Sequence, residues 1–119
     1  MADLAGASVK SVTPFKLYRK LSFHGGANVQ TITGAVTITA LHGDIQLING
    51  GASTRVVTLP TVASGAKSGM IFVILNTGAT NALTVNRPTS TLVVTLTAGQ
   101  SCMVVHDGTI WRLAMFSGV

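Results

Sequence analysis

Three aspartates and three histidines are the groups from which an acid–base pair could be drawn: Asp3, Asp44 and Asp107, with His24, His42 and His106. Glutamate is absent. General acid–base work needs two titratable groups within a few ångströms and with separated pKa values. Only His42 with Asp44, and His106 with Asp107, are close in sequence. Both pairs fall in turn-prone segments, where Asp and Gly serve the backbone and His is readily tolerated. A nucleophilic triad of Ser101, His106 and Asp107 fails on geometry, because neighbouring strand residues point to opposite faces and Asp107 would not orient His106. No catalytic residue is expected, and the chain is not expected to be an enzyme.

Cys102 and His106 are four residues apart and would share a strand face, which raises a metal site. Two ligands are too few. Zinc takes four protein ligands, or three and a water, and no CxxC or HxxxH completes the set, so Cys102 is expected to pack in the core. Neither GxxxxGK nor GxGxxG occurs, so no loop is set to cradle phosphate. No cofactor or metal is expected. Trp111 could stack on a sugar ring, but a single Trp flanked by Ile110 and Leu113 reads first as a core or interface anchor.

The elements that would position these residues belong to an unusual chain. Its 119 residues fit one domain, large enough to bury about two-thirds of its unfolded surface. Only 9% of residues are charged, against roughly 25% in an ordinary soluble domain. The longest apolar run, Met70 to Leu75, is far short of the roughly 20 residues that span a bilayer, so no membrane partner is expected. The opening MADLAGASVK has neither a basic leader nor an apolar core, and the lone Cys102 has no partner for an internal disulfide. Both features lead us to expect synthesis in a reducing cytoplasm.

The net charge of +5 sits towards the front. Residues 1–25 carry Lys10, Lys16, Arg19 and Lys20 against Asp3. The rest carries Arg55, Lys67, Arg87 and Arg112 against Asp44 and Asp107. A short basic segment suits an acidic surface. Nucleic acid is not expected as a partner, since the cluster is small and no nucleic-acid-binding signature follows. A small monomer usually intersperses charges over its surface, whereas this body relies on Thr, Ser, Asn, Gly and Ala. Much of its exterior is therefore expected to be buried against copies of itself or a larger assembly.

From residue 28 onward the chain reads as all-β, rich in Thr and Val and punctuated by Gly. Val36, Ile38 and Ala40 alternate with threonines, and Ile45 and Leu47 continue the pattern after His42-Gly43-Asp44, which suggests two hairpin arms. Asn49-Gly50-Gly51 is a turn, because Gly and Asn tolerate positive φ. A strand from Arg55 to Leu59 stops at Pro60, and residues 61–69 form a loop. Met70 to Leu75 is apolar on both faces. It should lie centrally, with a core on one side and a second sheet, the arm or a neighbouring subunit on the other. Strands follow at Leu83 to Val85, Leu92 to Thr97, Ser101 to Val105 and Ile110 to Met115, the last two joined by an Asp107-Gly108 type I′ hairpin. Turns every eight to twelve residues are the spacing of a sandwich or barrel. The first 28 residues keep no period, Pro14 interrupts any helix and Gly25-Gly26 makes a hinge, so residues 1–28 are expected to be an extended basic arm and 29–119 the β-body.

Within this body the runs Val57-Thr58-Leu59-Pro60, Ile74-Leu75-Asn76-Thr77-Gly78, Leu83-Thr84-Val85, Gly99-Gln100-Ser101 and Asp107-Gly108-Thr109-Ile110-Trp111-Arg112 resemble small β-domains of tailed-bacteriophage virion proteins. Gly69 and Leu96 fit the same pattern, which spans about Val57 to Arg112. Such domains cap tail fibres or stud capsids. The resemblance implies a trimeric, non-catalytic unit: an antiparallel β-sandwich, jelly-roll-like or β-tulip-like, with an extended N-terminal arm. In it Leu59-Pro60 ends a strand and the Asp107-Gly108 turn presents the strand bearing Trp111.

A fibre head is usually the end of a long chain, whereas this chain starts at a Met with only a short arm before its body, as a complete protein would. It resembles a head decoration, or cement, protein. The expectation is a homotrimer on the outer surface of the virion capsid that bridges capsomers. Lys10, Phe15, Lys16, Tyr18, Arg19 and Lys20 would form the arm that attaches to the major capsid protein. Many weak contacts repeated over a shell add up by multivalency. The alternative is a tail-fibre or tail-tip component that binds host glycans around Trp111.

Overall fold

A computed structural model describes residues 26–40 and 42–117. Among these the chain is all-β, with nine strands and no helix. They are β1 (Ala27–Thr31), β2 (Val36–Thr37), β3 (Ile45–Asn49), β4 (Arg55–Thr58), β5 (Ile71–Asn76), β6 (Leu83–Asn86), β7 (Leu92–Leu96), β8 (Ser101–His106) and β9 (Trp111–Ser117). No helix is long and apolar enough to cross a membrane among the described residues. The first strand begins at Ala27, two residues ahead of the boundary read from the sequence.

The strands form two mixed sheets, one of five strands in the order β1-β3-β5-β8-β9 and one of four in the order β2-β4-β6-β7. Strands β1 to β6 alternate between the sheets, so the chain winds through three coils, each laying one strand on each sheet. Strands stacked from successive coils run parallel, with Ala27, Ile45 and Val73 in one register and Val36, Val57 and Val85 in the other. Parallel neighbours need a crossover connection. Here that crossover is a strand of the opposite sheet.

Two expectations are corrected by this winding. The segments around Val36–Ala40 and Ile45–Leu47 are not hairpin arms, because β2 and β3 lie in different sheets. Period-two alternation identifies a strand with one buried face but carries no information about its edge partner. The body is also not wholly antiparallel. Antiparallel pairing is confined to β5 with β8, β8 with β9 and β6 with β7, where the winding ends.

The Asp107-Gly108 hairpin does join β8 to β9, but His106 faces Trp111 across a four-residue loop. Gly108 has φ of +102° whereas Asp107 keeps an ordinary φ, so the turn is not type I′. The Asp side chain shapes it instead, accepting the N–H of Thr109 at 2.8 Å and of Ile110 at 2.9 Å.

β5 is the middle strand of its sheet, as its two apolar faces predict. Its inward residues Phe72 and Ile74 meet Ile48, Val104 and Trp111 of the same sheet and Val57, Leu83, Val85 and Leu96 of the other in one buried cluster. Alternate residues of β3, β5 and β8 are buried and half-buried, so each strand has one face in this core.

The winding repeats a turn. β3 ends on Asn49, whose Oδ1 accepts the N–H of Gly51 at 2.8 Å. β5 ends on Asn76, whose Oδ1 accepts the N–H of Gly78 at 2.9 Å. Both are followed by Ala, giving Asn49-Gly50-Gly51-Ala52 and Asn76-Thr77-Gly78-Ala79. Gly51 has φ of +71°, which an L side chain disfavours. Gly78 is needed for space: a Cβ there would lie 3.0 Å from Asn49 Oδ1 and 3.1 Å from Asn76 Oδ1.

Candidate functional site

The residues that could do chemistry are placed by turns and core packing. His42 Nδ1 accepts the Thr39 N–H at 3.2 Å, and no hydrogen bond or ion pair joins it to Asp44 among the described residues. His106 is buried at the end of β8, edge-on to the Trp111 ring with centroids 5.0 Å apart, and its Nδ1 accepts the Gly108 N–H at 3.1 Å. Asp107 is turned away from it. Its Oδ2 takes the Arg112 Nε–H at 2.6 Å, while Oδ1 holds the turn. The Ile110 N–H, the Arg112 guanidinium and the Thr109 N–H all favour the charged carboxylate, holding Asp107 well below the usual range.

Cys102 and His106 share the inward face of β8, with Val104 between them. Four residues of strand put them about 13 Å apart along the backbone. No group of three or more metal-ligating side chains exists among the described residues. Burial pushes the Cys102 thiol up to about 11, against a lowering by a backbone hydrogen bond with Ile74. Such a thiol packs as an apolar side chain rather than reacting.

Trp111 is 1% exposed. Its indole Nε1–H donates to the Pro60 carbonyl at 2.8 Å, and its ring lies 5.5 Å from that of Phe72. Arg87, on the loop after β6, donates from Nε to the Trp111 carbonyl at 2.8 Å and so ties the smaller sheet to β9. Trp111 therefore anchors the two sheets to each other. Beside it run two clefts of about 210 and 270 Å3 that share Pro60, Thr61 and Pro88, the second bordered by the hydroxyl-bearing Thr37, Thr58 and Ser64.

The expected attachment arm, with Lys10, Phe15, Lys16, Tyr18, Arg19 and Lys20, lies outside the described residues.

The outward faces of the two sheets differ sharply. On the four-stranded sheet the positions alternating with the core residues include Thr37, Thr58, Thr84, Asn86 and Thr95. These are neutral and polar, and they share the face with two apolar residues, Val56 opposite Thr84 and Leu92 opposite Asn86. On the five-stranded sheet the corresponding positions are Ile45 and Leu47 of β3, Ile71, Val73 and Leu75 of β5, and Met103 and Val105 of β8, with the polar Asn49 and Ser101 at one end of the face. Val29 of β1 and Met115 of β9 extend this face to both edges, 70% and 64% exposed. Its ionisable member is Arg112, at the β9 edge opposite Val105. Between these edges the outward positions of β3, β5 and β8 are half-buried.

Sequence reading identified β5 as a central strand apolar on both faces. It missed that β3 and β8 continue the apolar outward face of β5, through Ile45, Leu47, Met103 and Val105, which the register brings together. No protein-family model matches the chain, and no curated protein matches it.

Proposed function

We propose that this chain is a non-enzymatic structural protein of a tailed-bacteriophage virion, a capsid decoration or cement protein that trimerises on the outer head surface and bridges capsomers. Its two sheets work as a β-sandwich, and the basic N-terminal segment attaches to the major capsid protein. The observation that carries this reading is the exterior of the body: neutral on one sheet, apolar on the other, with Arg112 and Asp107 joined as the one ion pair among the described residues. A surface of this kind is suited to contact rather than to free solution. The titratable residues support a structural role, since Asp107 and His106 are engaged in a turn and Cys102 in the core.

The test is addition of the purified protein to phage heads that lack it. Co-sedimentation in many copies per head, with heads that then resist heating better, is the expected result. Binding confined to tails, or none to heads, would end the decoration reading.

A second reading, a tail-fibre or tail-tip component binding host glycans, draws on the hydroxyl-lined clefts beside Pro60 and Pro88. In the second cleft the neutral hydroxyls of Thr37, Thr58 and Ser64 beside Pro60 and Pro88 suit a sugar better than an ion. Glycan-array binding that is lost in Thr58→Val would favour it over attachment to heads.

A further inference from the structure

We infer that the outer face of the five-stranded sheet is the surface through which copies of this chain join, an inference that rests on the proposed assembly into an oligomer. The face is centred on Val73, with Ile45, Leu47, Ile71, Leu75 and Met103 around it. Each of these alternates with a residue of the buried core, so none is needed inside. The same chain supplies an internal control. On the four-stranded sheet it fills most outward positions with Thr37, Thr58, Thr84, Asn86 and Thr95, leaving Val56 and Leu92 as the apolar ones, as a sheet facing water can. A chain that writes mainly threonine on one outer face and a continuous block of isoleucine, leucine, valine and methionine at the centre of the other treats that second face as interior.

Charge selects the occupant. The central positions of the face carry no ionisable side chain, so an acidic or basic partner would gain nothing there. A copy of this chain brings its own net charge of +5, and copies repel unless they meet through neutral surface. This face offers that surface, with Arg112 at its edge and the Asp107 carboxylate against it.

Size bears on the number of copies. Five strands about 4.8 Å apart and five residues rising about 3.3 Å each give a face of roughly 400 Å2. That is within the range of about 300–600 Å2 at which an apolar patch on a monomer often marks a contact site. Two such faces pressed together would bury roughly 800 Å2, below the ~1,200 Å2 at which specific pairs become stable. Three faces turned towards a common axis would together bury roughly 1,200 Å2, the lower end of the specific range, with each face divided between two neighbours.

The full-length chain and three variants decide the matter by sedimentation equilibrium at micromolar concentration, with far-ultraviolet circular dichroism as the check on folding. The wild type is expected at about three times the 12.2 kDa chain mass. Val73→Lys places a charge at the centre of the face and is expected to sediment as a single chain. Met115→Lys, at a 64% exposed edge position where the core is untouched, is expected to weaken association at least tenfold while keeping the fold. Thr84→Lys, on the outer face of the other sheet, is expected to associate like the wild type. A wild-type monomer would overturn the inference, since the face would then be covered by residues 1–25 or by another partner. Unchanged association in both face variants would overturn it too, as would equal disruption by Thr84→Lys. A dimer lost in both face variants would uphold the interface and remove the trimer from the proposed function. Head co-sedimentation, measured separately, reports on the decoration role whichever way the interface falls.

Discussion

The Asp107 carboxylate accepts the N–H groups of Ile110 and Thr109 and the Nε–H of Arg112. Its folded pKa is depressed, so its contribution to stability is present above the ordinary aspartate value of about 3.9 and fades as pH falls towards the folded value. Asp107→Asn is therefore expected to lower the melting midpoint by a few degrees at pH 7. The gap to wild type should narrow below about pH 4, and thermal melts across pH 3–7 measure it. Asn76 acts at longer range. Fully buried, it donates from Nδ2 to the carbonyls of Asn81 and Leu96, at 2.9 Å each, and accepts from Gly78, so it ties the end of β5 to β7 of the other sheet. Asn76→Ala leaves three polar groups without their partner and is expected to cost about 3 kcal/mol in denaturant unfolding. Gln46, also fully buried, is satisfied in the same manner by Asn28 at 2.7 Å and the Gly43 carbonyl at 2.7 Å. None of these three roles was open to sequence reading beyond Asp107 as a turn former, because each depends on a partner that only the fold brings close.

At the scale of elements, strands β3 to β9 were largely legible in residue type and alternation. Their partners were not. Pro60, Asn49-Gly50-Gly51 and Asp107-Gly108 mark where strands stop, and the structure places a stop at each. A turn signal does not say whether the chain doubles back beside its last strand or crosses to another sheet, and in the first six strands it always crosses. The Asn-x-Gly-Ala repeat is the clue that was present: similar turns ending β3 and β5 belong to successive coils, which stack in parallel with Ile48 beside Asn76. The stacking makes a matched pair of glycine substitutions informative. Gly78→Ala forces a Cβ against the Oδ1 atoms of Asn49 and Asn76 and is expected to cost about 1–2 kcal/mol. Gly34→Ala, at the corresponding Gly-Ala step of the first coil, meets nothing within 4 Å and is expected to be neutral or slightly stabilising. Urea melts of the two variants against wild type separate a packed coil junction from an open one. A cost at Gly34 equal to that at Gly78 would contradict the stacked-coil account.

For the whole molecule the decisive quantity is the scarcity of charge. With 9% charged residues the chain has few charges to spread over its surface, and the outer faces of its sheets divide into one mainly of threonine, with Val56 and Leu92, and one mainly of aliphatic side chains. Composition alone indicated that the exterior should be covered, whereas which face is bare became visible only with the register, since alternation looks alike on both sheets. The most direct measurement is electron imaging of the virus particle that carries the protein. The proposed function predicts many copies spread over the outside of the head, each cluster threefold symmetric with the Val73 faces turned to its axis. A few copies confined to the tail, or clusters whose Val73 faces look outward into solvent, would contradict it.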